Sequence, residues 1–175
     1  MTTISSFKSQ MQGGGSRSSQ YRVDLTFPAF VGASASAAGP AAQILCRATS
    51  LPATTVEDIT AMYRGRPVHF AGERVFQPWT VTMYNDTNFV IRNAMEKWSN
   101  GALNYSATNG IMRPADYQVD MAVHQLDRND RIIKTYKFYD SYPTDISAIA
   151  LSYDDNNTIE TFDITFVFNY FTTEF

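Results

Sequence analysis

The segment that most narrows what this chain can fold into runs from Ile159 to Phe171. There Phe162, Ile164, Phe166, Phe168 and Tyr170 alternate with Thr161, Asp163, Thr165, Val167 and Asn169. A side-chain period of two places the first set on one face of a β-strand and the second on the other; the 3.6-residue period of a helix would scatter them. The pattern recurs. Tyr21, Val23, Leu25 and Phe27 alternate with Arg22, Asp24 and Thr26, and Trp79, Val81 and Met83 with Thr80, Thr82 and Tyr84. Tyr117, Val119, Met121 and Val123 alternate in the same way with Gln118, Asp120, Ala122 and His124. Both histidines, His69 and His124, fall on the polar side of their strands, which predicts exposure. The chain is therefore mainly β.

Turn and breaker residues divide these strands. Pro28 ends the first, and residues Ala33 to Ala42, nearly all Ala, Ser, Gly and Pro, read as a loop closed by Gly39-Pro40. A second strand, Ile44 to Ser50, stops at Leu51-Pro52. Val56 to Tyr63 and Pro67 to Phe70 flank a Gly65 turn and read as a hairpin arm that breaks at Gly72. One helix is expected, starting after Asp86, Thr87 or Asn88 and stopping at Gly101, because Ile91, Ala94, Met95 and Trp98 recur at i, i+3, i+4 and i+7. Arg131 to Tyr139 pairs back across the Asp127-Arg128-Asn129-Asp130 turn. Pro143 then interrupts, and Ile146 to Tyr153 leads into the Asp154-Asp155-Asn156-Asn157 turn. Residues 1–20, with Gly13-Gly14-Gly15 and a Ser-rich run, read as a flexible arm, and residues 21–175 as a single β domain.

Composition removes several function classes. The 175 residues are 44% hydrophobic, enough for one core, and the net charge of −3 argues against a dedicated nucleic-acid binder. No apolar run is long enough to cross a bilayer, and Met1 to Gln10 lacks the basic head and apolar stretch of an export signal. The lone Cys46 cannot form an internal disulfide, which fits assembly in a reducing compartment. As a small strand residue it is expected to be buried and inert rather than a nucleophile. Gly13-Gly14-Gly15-Ser16 lacks the spacing of a phosphate loop, and Asp154, Asp155 and Glu160 lack that of a calcium loop, so they read as a tail and a solvated turn. No catalytic, cofactor-binding or metal-binding residue is assigned.

Two further features point to assembly. Residues 1–74 carry seven Lys or Arg against four Asp or Glu, whereas residues 75–175 carry seven against thirteen. Such asymmetry can orient neighbouring subunits. Long half-buried strands also leave open edges unless the sheet closes or pairs with other chains. Two architectures satisfy this: a monomeric barrel holding a small apolar ligand, or a subunit of a multi-chain β-assembly.

An ordered set of short motifs favours the second. Ala48-Thr49-Ser50-Leu51-Pro52, Val56-Glu57, Gly65-Arg66, Ala71-Gly72-Glu73-Arg74 with Phe76, and Trp79-Thr80-Val81-Thr82 with Asn85-Asp86 are followed by Tyr142-Pro143-Thr144 and by residues Asn156 to Phe162. In order and spacing, from about Tyr21 to Tyr170, the chain resembles the tail tube proteins of T4-like contractile-tailed bacteriophages. The resemblance implies a two-sheet β-sandwich or barrel subunit with one flanking α-helix, forming hexameric rings whose strands line a tube. Those rings would stack as the inner tube of a virion's contractile tail, assembled in the host cytoplasm. Implied partners are other copies of the chain, the tail sheath protein, baseplate and tail-terminator proteins, a tape measure protein in the lumen, and genomic DNA in transit, with no membrane and no cofactor. The hairpin Thr54 to Arg74 would bridge rings, which assigns Glu57, Tyr63, Arg64, Arg66, Glu73 and Arg74 to contacts between subunits or rings. The alternatives are the tube of a protein-delivering contractile injection system, the ligand-carrying barrel and, weakest, a hydrolase using the C-terminal carboxylates.

Overall fold

The computed structural model describes residues 3–174 other than 108 and 112, so Met1 and Thr2 of the expected arm lie outside the described residues. Along the chain the elements are α1 (Ile4–Gln10), β1 (Tyr21–Asp24), α2 (Ala33–Leu45), β2 (Cys46–Thr49), β3 (Thr54–Tyr63), β4 (Arg66–Phe76) and β5 (Trp79–Tyr84). They continue with α3 (Val90–Ala102), α4 (Pro114–Tyr117), β6 (Val119–Leu126), β7 (Ile132–Ile146), β8 (Thr161–Val167) and β9 (Tyr170–Glu174). Seven strands form one antiparallel sheet in the order β1-β6-β7-β8-β5-β2, with β9 also on β7; β3 and β4 pair only with each other.

Strand β7 folds this sheet into two layers. Its first part, Thr135 to Tyr139, pairs with β9, and its last part, Tyr142 to Ile146, pairs with β8. Between them Asp140 takes a left-handed φ of 55°. The facing β8–β9 segment steps out of the ladder at the same level: the Asn169 amide donates to the Tyr139 carbonyl, and the Asn169 side chain to Asp140 Oδ2 at 3.0 Å. The expected long C-terminal strand is thus two strands. Phe162, Ile164, Phe166 and Phe168 are buried as the alternation requires. Beyond the kink the faces exchange: Phe171 packs on the core, and Tyr170 turns outward to stack on Tyr139 at 4.6 Å.

The core lies between the two layers. Trp79 stacks on Phe138 at 4.4 Å, and its indole N–H donates to Thr49 Oγ1 and the Ser50 carbonyl, both at 2.9 Å. Helix α3 covers one side with Ile91, Ala94, Met95 and Trp98, all buried, as their spacing predicts. Its start is held by Asp86, whose carboxylate accepts from the amides of Asn88 and Val90. Gly101 lies inside the helix rather than at its stop. A Cβ there would sit 2.2 Å from Cε2 of Phe30, so the glycine admits that ring.

Three more sequence expectations are corrected. Residues 33–42 belong to helix α2, with Pro40 inside it. Alanine is the best helix former, and Ala38 and Ala42, one turn apart and fully buried, let the backbone approach β1 and α3 closely. The small side chains that argue against a core are what the close packing uses. Second, His124 is not exposed. It is 8% accessible, with Nδ1 2.8 Å from Thr135 Oγ1 and Nε2 3.0 Å from Asp24 Oδ2, while Gln43 of α2 donates to Asp24 Oδ1. Helix α2 thus reaches across to this face of the sheet. Third, Pro143 does not interrupt β7. It sits at a register shift, where a missing ladder donor is tolerated, and the chain leaves the sheet only after the Ser147 amide bonds to Asp163. Residues 148–160 therefore carry no strand.

At the N-terminus, α1 is a single short helix with no buried residue.

Candidate assembly interface

The hairpin β3–β4 is built from local signals. Arg64 and Gly65 have φ of 47° and 79° between the paired Tyr63 and Arg66, the two positive values that a tight two-residue hairpin turn requires. Gly72 does not break β4. It lies at a register shift opposite Glu57, where a Cβ would approach the Glu57 carbonyl oxygen to 2.8 Å, so only glycine lets the backbones come this near.

Pairing across the hairpin sorts its side chains into two faces. Ile59 faces Phe70, Ala61 faces Val68, and Tyr63 faces Arg66, giving an apolar stripe that ends in a basic tip. The other face carries Thr60 opposite His69 and Asp58 opposite Ala71. There His69 Nδ1 lies 2.6 Å from Asp58 Oδ2, and the Thr60 hydroxyl donates to the same oxygen at 2.9 Å. Ile59 and Phe70 are 56% and 55% exposed.

The six residues assigned from the sequence all lie on this hairpin, but they do not form one cluster. Tyr63, Arg64 and Arg66 gather at the tip, where the Arg64 guanidinium sits 5.4 Å from the Tyr63 ring centre, within cation–π range. Glu57, Glu73 and Arg74 lie near the register shift, with Arg74 opposite Val56. All six are exposed. What the assignment missed is the apolar stripe of Ile59, Ala61, Val68 and Phe70. Its signal in the sequence is the alternation of apolar residues on both arms.

The sites weighed for chemistry are dispersed. Among the described residues no group of three or more His, Cys, Asp or Glu could hold a metal ion. Asp154 and Asp155 are exposed, whereas Glu160 accepts from the Asn85 side chain at 2.8 Å. Cys46 begins β2, an edge strand, and its carbonyl accepts from the Tyr21 hydroxyl at 3.2 Å. Burial pushes the Cys46 thiol from 9.0 up to about 11, and burial followed by the neighbouring Cys46 pushes the Tyr21 phenol up to about 12. A thiol at about 11 carries roughly a hundredfold less thiolate at pH 8 than one at 9.0. Alkylation of Cys46 at pH 8 is therefore expected to be at least about tenfold slower in the folded protein than in the denatured chain. The sign for stability follows: the unfolded thiol loses its proton first, so the fold weakens as pH rises from 9.0 through about 11. Cys46 is half-buried where full burial was expected, and equal alkylation rates in both states would show that this partial cover does not protect the thiol.

A family model described as phage tail tube protein matches residues 16–174. The chain is 32% identical over 126 residues to tail tube protein gp19 of Enterobacteria phage T4, covering 71% of this chain and 77% of that one. It is 28% identical over 153 residues to the tail tube protein of Serratia phage KSP90, covering 86% and 85%. Among solved structures, a chain of the tube-terminating cap of the anti-feeding prophage superposes with a TM-score of 0.64 over 91% of both chains at 13% identity. A chain of the PVC extracellular contractile injection system's sheath–tube complex gives 0.60 over 95% and 96% at 12% identity. The fold, in which two helices, α2 and α3, flank the sheet where one was expected, is shared with these structures, and nearly the whole sequence fits one family. The chain belongs to the phage tail tube protein family and is a structural subunit of a virion's tail tube.

Proposed function

We propose that copies of this chain close into six-membered rings and that the rings stack into a hollow conduit for DNA, with no catalysis by the chain itself. One observation carries the reading: the hairpin β3–β4 forms a separate two-stranded sheet whose only ladder, among the described residues, is internal, yet it displays an apolar stripe to solvent. An isolated two-stranded hairpin is marginal in water, so this arm calls for a partner outside its own domain. Glu57, Tyr63, Arg64, Arg66, Glu73 and Arg74 are the proposed polar contacts between subunits or rings. The open edges of β1, β2 and β9 supply further backbone groups for pairing between copies. Sheath, baseplate and terminator proteins would bind the outside and ends of such a tube, and a tape measure protein would occupy its lumen. An acidic or neutral wall would keep phosphates from adhering, and the chain's net charge of −3 is in that direction.

The relatives by sequence are phage proteins, which favours DNA over protein as the cargo. The carrier reading is disfavoured because the space between the layers is filled by Trp79, Met83, Phe138 and Phe166. Electron microscopy of the purified protein tests the proposal. Rings or hollow cylinders with six subunits per layer are expected; a uniformly monomeric species at high concentration would overturn it.

A further inference from the structure

The hairpin's basic tip has a counterpart elsewhere on the surface. Residues 148–160 leave the sheet after Ile146 and return at Thr161 without a regular element, and at their centre Leu151 is 80% exposed and Tyr153 fully exposed. Asp154 and Asp155 follow directly. Most other carboxylates near the sheet are engaged: Asp163 accepts from Thr82, Asp24 from Gln43 and Arg22, Asp120 pairs with Lys137, and Glu160 accepts from Asn85. Among the described residues, neither Asp154 nor Asp155 has an ion pair, and neither do Arg64 and Arg66 at the tip.

A ten-residue strand such as β3 spans about 33 Å, roughly twice the radius of gyration, about 16 Å, expected for 175 residues. An arm of that length can carry its tip to the body of an adjacent molecule. We infer that the tip of one copy, Tyr63 to Arg66, docks on residues 151–155 of a second copy, with Arg64 and Arg66 against Asp154 and Asp155 and the Tyr63 ring against Leu151 and Tyr153. Opposite charge selects the partner and its register, and the aromatic and aliphatic side chains supply apolar area that neither surface can bury alone. Tip and loop are different patches, so a copy can offer its tip to one neighbour and its loop to another; this heterologous arrangement, unlike a two-fold exchange of tips, propagates instead of stopping at a dimer. This inference rests on the proposed assembly role of the hairpin and specifies its receptor.

Charge exchange in the full-length protein separates the two ideas. Arg64→Glu with Arg66→Glu is expected to raise the critical concentration for tube formation at least about tenfold, and Asp154→Arg with Asp155→Arg to do the same. All four substitutions together should bring it back to within about threefold of the original protein. Thermal melting of unassembled protein, unchanged in each variant, shows that the surface changes leave the domain folded. If the arginine pair matters but the aspartate pair does not, or if the combined variant stays defective, the proposed receptor is wrong while the hairpin's assembly role stands. If neither pair changes tube formation, the docking of the tip on residues 151–155 is overturned, and the hairpin's assembly role is left to be decided by removing the whole arm.

Discussion

Deletion of residues 54–74 is expected to give a folded protein that no longer forms tubes. The cut removes all of β3 and nearly all of β4, whose ladder is confined to the pair. It spares Phe76, which does belong to the body: its ring lies 5.9 Å from that of Phe168 and 5.6 Å from that of Phe171. The base of the arm is already close, since the Gln77 amide reaches the Ala53 carbonyl, so a short link can replace the hairpin without moving β2 or β5. Because the arm buries little against its own domain, the loss in unfolding free energy should stay under about 2 kcal/mol. Assembly, by contrast, should be abolished outright. Circular dichroism with chemical denaturation checks the fold, and sedimentation with electron microscopy checks the tubes. Normal tubes from the deleted protein would remove the hairpin from the assembly mechanism.

Trp98→Ala should be the most damaging single substitution in helix α3, costing about 3–5 kcal/mol. The side chain is fully buried; its ring meets Phe27 edge-on at 5.7 Å and Phe166 at 6.2 Å. Its indole N–H also donates to the Tyr117 carbonyl at 2.8 Å, tying α3 to the short helix α4 ahead of β6. Removing the indole leaves a cavity and a carbonyl without its donor, and the second effect adds about 1 kcal/mol. Against a total stability of about 5–15 kcal/mol, that is a large fraction, and the variant should unfold at markedly lower denaturant. Trp98→Phe, which keeps a ring but loses the N–H, should fall between. A loss below about 1 kcal/mol for the alanine variant would show that the helix does not close the core as described.

How much of this was legible beforehand depends on the range of the interaction. The stripe Ile91, Ala94, Met95 and Trp98 needed only a helical period and one core to face, and all four are buried. The hairpin needed only a turn that accepts two left-handed residues, which Arg64-Gly65 provides. The alternation in Trp79–Tyr84 and Thr161–Val167 likewise matches the buried faces of β5 and β8. For the candidate interface, the hairpin and its charged residues could be named from the residue order. The apolar face that runs between them has its signal in the alternation of Ile59, Ala61, Val68 and Phe70, which the charged residues do not express.

Other features depended on neighbours distant in sequence. Ala33–Leu45 is helical because small side chains let it lie against β1 and α3, a gain that no local preference at Gly39-Pro40 expresses. His124 is buried because Asp24 and Thr135, on two other strands, supply partners for both ring nitrogens. Tyr170 points outward because the chain steps out of its ladder at Asn169, opposite the bend at Asp140, which reverses a parity that would otherwise hold. Residue order carries the periods, the turns and the family, since each is set by covalent neighbours and side-chain shape. Which surfaces meet, and which are left facing water in the single chain, is settled only when distant segments compete for the same apolar contacts and hydrogen-bond partners.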